Sequence, residues 1–173
     1  MIMGKGQQQL LLPVNPAFLW GSLTVALLLD LLPIGRAVWA PDPLLLLLVF
    51  WAVHQPARVG MGVAFVLGLC IDVHQAALLG QHALGYTVLV FLGGYLQRRL
   101  LWLSVAAQTV QLLPVFFAAQ VIEVLVRTAA GGVFPGFGFV LAPVFEALLW
   151  PLASMVLLAP QRRAPDPDEN RPL

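Results

Sequence analysis

Apolar residues dominate this chain in six long stretches, and short polar, Pro- or Gly-bearing segments separate them. A helix needs about 20 residues to cross a hydrocarbon core of roughly 30 Å. The stretches predict helical spans over 16–32, 39–55, 58–72, 81–97, 100–126 and 139–159, in one domain covering 1–159. Asn15 before Pro16 is a helix start, with a side-chain acceptor at the cap and proline at the first helical position. Pro33 and Gly35 end that helix. The second stretch, PLLLLLVFWAV, is short for a span, and a half-inserted hairpin is the alternative there. If it crosses, Trp39 and Trp51 fall near opposite interfaces, where aromatic rings collect. Pro114 interrupts the fifth stretch and Pro151 the sixth, and proline inside a helix removes a hydrogen bond and bends it. The segment 160–173 is polar and Pro-rich and reads as a disordered cytoplasmic tail. No internal repeat stands out.

Within this pattern the segment Pro56–Tyr86, PARVGMGVAFVLGLCIDVHQAALLGQHALGY, reads as the hairpin around which the rest is arranged. It opens on a turn with Arg58. Gly60, Ala64, Gly68 and Asp72 follow at i, i+4 spacing and share one helix face. Small residues at that spacing let a second helix come close in lipid. Gly80 marks the break before the next apolar stretch. Arg58, Gly60, Ala64, Gly68, Asp72 and Gly80 are therefore the candidate helix-packing or partner-binding residues. Gly85 and Gly93 repeat the close-packing spacing in the fourth stretch.

Composition turns the pattern into a class. Of 173 residues, 60% are hydrophobic and 10% charged, with a mean hydropathy of +0.90. Soluble domains carry about 25% charged residues, so this chain reads as an all-α, multi-pass membrane protein. Cys70 is the single cysteine, which excludes an internal disulfide, and it reads as a small packing residue. The N-terminal stretch has one preceding charge, Lys5, and no small-x-small cleavage pattern, so it reads as a retained first span. Six spans place both termini on one side. Seven of the nine basic residues then share that side: Lys5, Arg58, Arg98, Arg99, Arg162, Arg163 and Arg171. Only Arg36 and Arg127 fall opposite, which predicts cytoplasmic termini by the positive-inside bias.

Polar residues within the stretches carry whatever chemistry there is. Asp72, His74 and His82 cluster near one boundary. Their spacing matches no standard zinc signature, and exposed or interfacial loop residues are the simpler reading. An ionisable group beside a span is nevertheless costly and marks a functional position, here a helix cap, an ion pair or a partner contact. Gln120, Glu123 and Arg127 share a face, and Glu123 four residues before Arg127 reads as a self-neutralising pair. Gln108 and Gln111 should face protein rather than lipid. Glu146 has no visible partner, and Asp30 reads as interfacial. Phosphate-binding loops, dinucleotide fingerprints and a serine nucleophile elbow are absent from the sequence. The expectation is a non-enzymatic protein with no catalytic, cofactor-binding or metal residues and no nucleic-acid partner.

Pro41-Asp42 before a Leu-rich run, Trp51, Pro56-x-Arg58, Gly60-x-Gly62, Phe65-Val66-x-Gly68-Leu69-x-x-Asp72, then Leu79-Gly80 and Ala83-Leu84 through Tyr86 follow in an order that resembles the MreD family of rod-shape-determining proteins. Leu149-Trp150-Pro151 resembles its proteobacterial members. The resemblance implies a bacterial inner-membrane subunit of the cell-elongation complex. It implies a scaffold or regulatory role in rod shape and lateral peptidoglycan synthesis. The implied partners are MreC, MreB, RodA and a class B penicillin-binding transpeptidase, together with membrane lipid. It further implies a fold similar to the six-helix substrate-binding subunits of energy-coupling-factor transporters. That likeness supplies the alternative, a small-molecule-binding subunit of a membrane transporter. A transport subunit needs a closed, polar-lined cavity, whereas a scaffold needs an exposed apolar or small-residue groove.

Overall fold

The computed structural model describes residues 14–32 and 39–161. Lys5, Pro33, Gly35, Arg36 and the tail beyond Gln161 lie outside the described residues. Among the described residues six α-helices make up the fold: α1 (Pro16–Leu31), α2 (Pro43–His54), α3 (Met61–His74), α4 (Gln81–Trp102), α5 (Val105–Ala129) and α6 (Leu141–Leu158). A 3-10 turn, Phe137–Val140, leads into α6 and another, Ala159–Gln161, follows it. Strands are absent among the described residues. Two helical segments, Val105–Ala129 and Phe137–Gln161, are long and apolar enough to cross a membrane unaided; α1, α2 and α3 are shorter apolar helices.

The central element is α2. Its sequence has no polar residue between Pro43 and His54, so it has no face to offer to water, and a helix apolar all round belongs inside. Leu44, Leu45, Leu46, Leu48, Val49, Phe50, Trp51, Ala52 and Val53 are all buried. Helices α1, α4 and α6 pack around it, α3 packs on α4, and α5 bridges α4 and α6. The Pro56–Tyr86 hairpin forms the α3–α4 seam, and α4 in turn packs on α2 and α5. At 12 residues α2 is about 18 Å long. It is short because it is surrounded by helices rather than by lipid.

Trp51 lies one turn before the end of α2. It is fully buried, and its Nε1 donates to Ser22 Oγ on α1 at 2.9 Å. A line of aromatic contacts runs from Phe18 through Trp51 and Phe50 to Trp150, joining α1, α2 and α6. Gln108 closes the same end of the core. Its amide donates to Leu100 O and Leu103 O and accepts from Trp150 Nε1, so a span glutamine is satisfied by protein, as its polarity requires. Both Pro114 and Pro151 lie inside continuous helices.

The α3–α4 seam depends on small residues. A Cβ at Gly68 would meet Ala83 N at 2.6 Å, and one at Gly93 would meet Val49 Cγ2 at 2.9 Å. Cys70, by contrast, is exposed on the outer side of α3 rather than packed. Its helix position turns it away from the seam that Ala64, Gly68 and Asp72 form.

Candidate functional site

One end of the bundle gathers the C-termini of α1, α3 and α5 and the N-termini of α2, α4 and α6. Asp30, Asp42, Asp72, Glu123 and Glu146, every acidic residue among those described, sit there. The opposite end carries Arg58, Arg98 and Arg99, and among the described basic residues Arg127 alone joins the acids. At this acidic end the carboxylates first serve as helix caps. The first backbone N–H groups of a helix have no intrahelical acceptor. In α2, proline at position 43 has no N–H to satisfy. Leu44 N–H donates to Asp30 Oδ2 at 3.1 Å, and Leu45 N–H donates to Asp42 Oδ1 at 3.0 Å. Asp30 is 3% exposed and is spent on a neighbouring helix.

Asp72 does the same for α4 from the end of α3. Gly80 N–H and His82 N–H donate to its two oxygens at 2.8 Å each, and Ala83 N–H reaches it at 3.4 Å. His82 Nδ1 lies 2.8 Å from Oδ1. Of the readings open for Asp72, the helix cap is the one seen and the exposed loop residue is not, since the side chain is fully buried. The residue at the cap position, Gly80, has no side chain and adopts φ +101°, a left-handed conformation that favours glycine. Its missing cap is supplied across the hairpin by Asp72. His74 points away and is exposed. No group of three His, Cys, Asp or Glu among the described residues could hold a metal ion.

Asp42 ties three helices together. Besides capping α2, its Oδ2 accepts from the Tyr86 hydroxyl of α4, and its own N–H donates to Glu146 Oε1 of α6 at 3.3 Å. Glu146 is fully buried, with the Gln120 side chain alongside its carboxylate. Pro41-Asp42-Pro43 suits a helix start in the sequence, which does not show Asp42 and Tyr86 as a connecting pair. The spacing of a polar residue between two prolines signals a cap, but nothing local signals which helix will receive its second oxygen.

Glu123 does not pair with Arg127. It is 8% exposed, its Oε1 has no hydrogen-bond partner, and its side chain lies where a Cβ on Gly85 would otherwise go. The helix turns Glu123 toward α4 and leaves Arg127 exposed. Between these residues is a polar pocket of about 210 Å³, lined by Asp42, Gln81, His82, Gln120, Glu123 and Arg127 among others. A second cleft of about 530 Å³ adjoins it and shares Gln75, Gln81 and Arg127.

The other candidate residues sit elsewhere. Arg58, exposed in the turn before α3, donates from Nη1 to Val14 O at 3.2 Å and so ties that turn to the start of α1. Gly60 precedes α3 with open space around it, while Ala64 and Gly68 are buried. The stripe therefore divides, with one end open and the other three positions facing protein. On the outer surface a separate apolar groove of about 620 Å³ lies between α1 and α6 with α2 as its floor. Gly21, Val25, Leu29, Leu46, Leu152 and Val156 are among its lining. The acidic end can hold polar ligands and lock helices. There Asp30, Asp42 and Asp72 accept from backbone N–H groups, a tyrosine and a histidine.

The family model described as rod shape-determining protein MreD matches residues 14–161. A curated protein, the rod shape-determining protein MreD of Haemophilus influenzae, is 26% identical over 141 residues, 80% of this chain and 87% of that protein. No solved structure matches the chain.

Proposed function

The chain belongs to the MreD family of rod shape-determining proteins, and from that premise we propose that it is a non-enzymatic membrane scaffold and regulatory subunit of the cell-elongation complex. Membership gives it a part in rod shape determination. The proposal adds lateral peptidoglycan synthesis as the process supported. It adds MreC, MreB, RodA and a class B penicillin-binding transpeptidase as partners. It also adds six full spans in the bacterial inner membrane with cytoplasmic termini, and a bundle similar to energy-coupling-factor substrate-binding subunits.

The observation that supports this reading is the outer groove between α1 and α6. It is apolar, wide enough to leave open space beside Gly21, and flanked by exposed Val25, Leu152 and Val156. Small residues with room above them allow a second helix to approach closely in lipid. Photo-crosslinkers at Val25 and Leu152 in native membranes should capture a partner's membrane helix. The same probe at Val66, exposed on α3, should not. Capture of lipid alone from all three positions would sink the scaffold reading.

The transport alternative has one observation in its favour, the polar pocket beside Glu123. A transport subunit would take up a solute when reconstituted with an energy source, and a scaffold would not.

A further inference from the structure

At the end of the bundle away from the acids, an apolar slot of about 340 Å³ lies between α4 and the turn that enters α3. Pro56, Val59 and Gly60 form one wall, and Phe91, Gly94 and Tyr95 form the other. Gly60 and Gly94 both have open space where a side chain would stand. One turn of an α-helix, about 5.4 Å of a cylinder about 10 Å across, would not fit inside the slot, whereas a lipid acyl chain would. Successive helical residues are rotated by about 100°. Arg98 therefore stands on the same face of α4 as Phe91, Gly94 and Tyr95, and Arg99 is turned about 100° from it. Side chains on a helix lean back over the preceding turn, which for Arg98 is the turn of Gly94 and Tyr95. Arg98 is exposed. Tyr95 is 79% exposed, and Trp102, four residues beyond Arg98, is 86% exposed. Such rings collect where hydrocarbon meets headgroups, so the slot opens just inside that boundary. On the opposite wall Arg58 lies between Pro56 and Val59 and is held by its bond to Val14 O. Among the described residues no carboxylate stands at this end to neutralise the three arginines.

We propose that this slot binds an anionic phospholipid, with one acyl chain between α4 and the turn before α3 and the phosphate on Arg98. A guanidinium holds phosphate oxygens with two parallel bonds. Basic residues grouped at one membrane face favour anionic headgroups. A zwitterionic headgroup brings its own cation toward the same arginines and gains less. The occupant is lipid rather than a protein helix because the slot is too small for a helical turn and its open end carries positive charge without a counter-charge. The inference rests on the chain's place in a membrane and not on the scaffold role. The slot shares no lining residue with the groove between α1 and α6, so crosslinking at Val25 and Leu152 and lipid binding here succeed or fail separately.

The test uses the full chain. The protein is reconstituted in equal parts of phosphatidylglycerol and phosphatidylcholine, and the lipid it retains on extraction is identified by native mass spectrometry. Selective retention of phosphatidylglycerol is expected. Arg98→Gln should weaken it about fivefold, the scale of one basic residue at a membrane surface. Arg99→Gln removes the same charge off the slot and should leave retention as in the parent. Gly94→Leu fills the slot from a position with open space around it, so it should release the lipid at an unchanged melting temperature. Arg98→Gln alters an exposed position and carries the test if Gly94→Leu does not fold. Equal retention of the two lipids, no retained lipid, equal losses in Arg98→Gln and Arg99→Gln, or full retention by folded Gly94→Leu overturns the proposal. So does a photo-crosslinker at Tyr95 that captures a protein helix instead of lipid in native membranes.

Discussion

At position 68 a single methyl group has nowhere to go. Its Cβ would lie 2.6 Å from Ala83 N, a backbone atom that cannot swing aside, so α4 itself must shift. Gly68→Ala should destabilise the protein by about 1–3 kcal/mol, the usual range for overpacking. Gly60→Ala, two turns earlier in the same stripe and with nothing within 4 Å, should stay within about 0.5 kcal/mol of the parent. Chemical unfolding in detergent reads both, and equal behaviour of the two would remove the seam from the account. Asp72 is the second single-residue determinant. Asp72→Ala leaves the N–H groups of Gly80, His82 and Ala83 without their acceptor and should cost about 2 kcal/mol or more. Asp72→Asn keeps one acceptor oxygen and should fall between wild type and Asp72→Ala in the same assay. If Asp72→Ala melts like wild type, the carboxylate is not the cap of α4.

Among the elements, α2 holds the others in place, and its contribution is concentrated in large buried side chains. Trp51→Ala removes a fully buried ring, its contacts with Phe18 and Phe50, and the bond to Ser22. A loss of about 3–5 kcal/mol is expected, as for other buried aromatic-to-alanine changes. Trp102→Ala at the end of α4, where the ring is 86% exposed, should change stability by no more than about 0.5 kcal/mol. Thermal melting of the two variants separates a core tryptophan from a surface one. A small effect at Trp51 would mean that α2 is not the packing centre.

Over the whole molecule the described charges are segregated, with Asp30, Asp42, Asp72, Glu123 and Glu146 at one end and Arg58, Arg98 and Arg99 at the other. Basic residues are retained on the cytoplasmic side during insertion, whereas acidic residues contribute little to orientation. The Arg58 and Arg98–Arg99 end should therefore face the cytoplasm and the acidic end the opposite side. Topology reporters fused after Gln55, Leu79, Arg99 and Gly132 should read in, out, in, out. A reporter after Gln55 that reads out would invert the assignment.

What the sequence determined by itself was local and compositional. Apolar runs bounded by Asn15-Pro16 and Asp42-Pro43 mark two helix starts, because a cap needs only a side-chain oxygen near the first N–H groups, whereas the predicted start of the fifth span at residue 100 moves to Val105, capped by Ser104. The order of Pro41-Asp42, Gly68, Asp72, Gly80 and Tyr86 was enough for the family, since order along a chain is itself a sequence property. Tertiary structure alone decided which polar groups meet. Glu123 and Arg127 are at favourable spacing for a pair, yet the rotation of α5 against Gly85 buries one and exposes the other. Asp42 and Tyr86 are 44 residues apart, and Asp42 and Glu146 are 104 apart. Contacts at such separations arise from how helices pack, and no periodicity along the chain encodes them. The all-apolar face of α2 was legible in its composition. Its place at the centre followed only once the other helices had somewhere to bury their own faces.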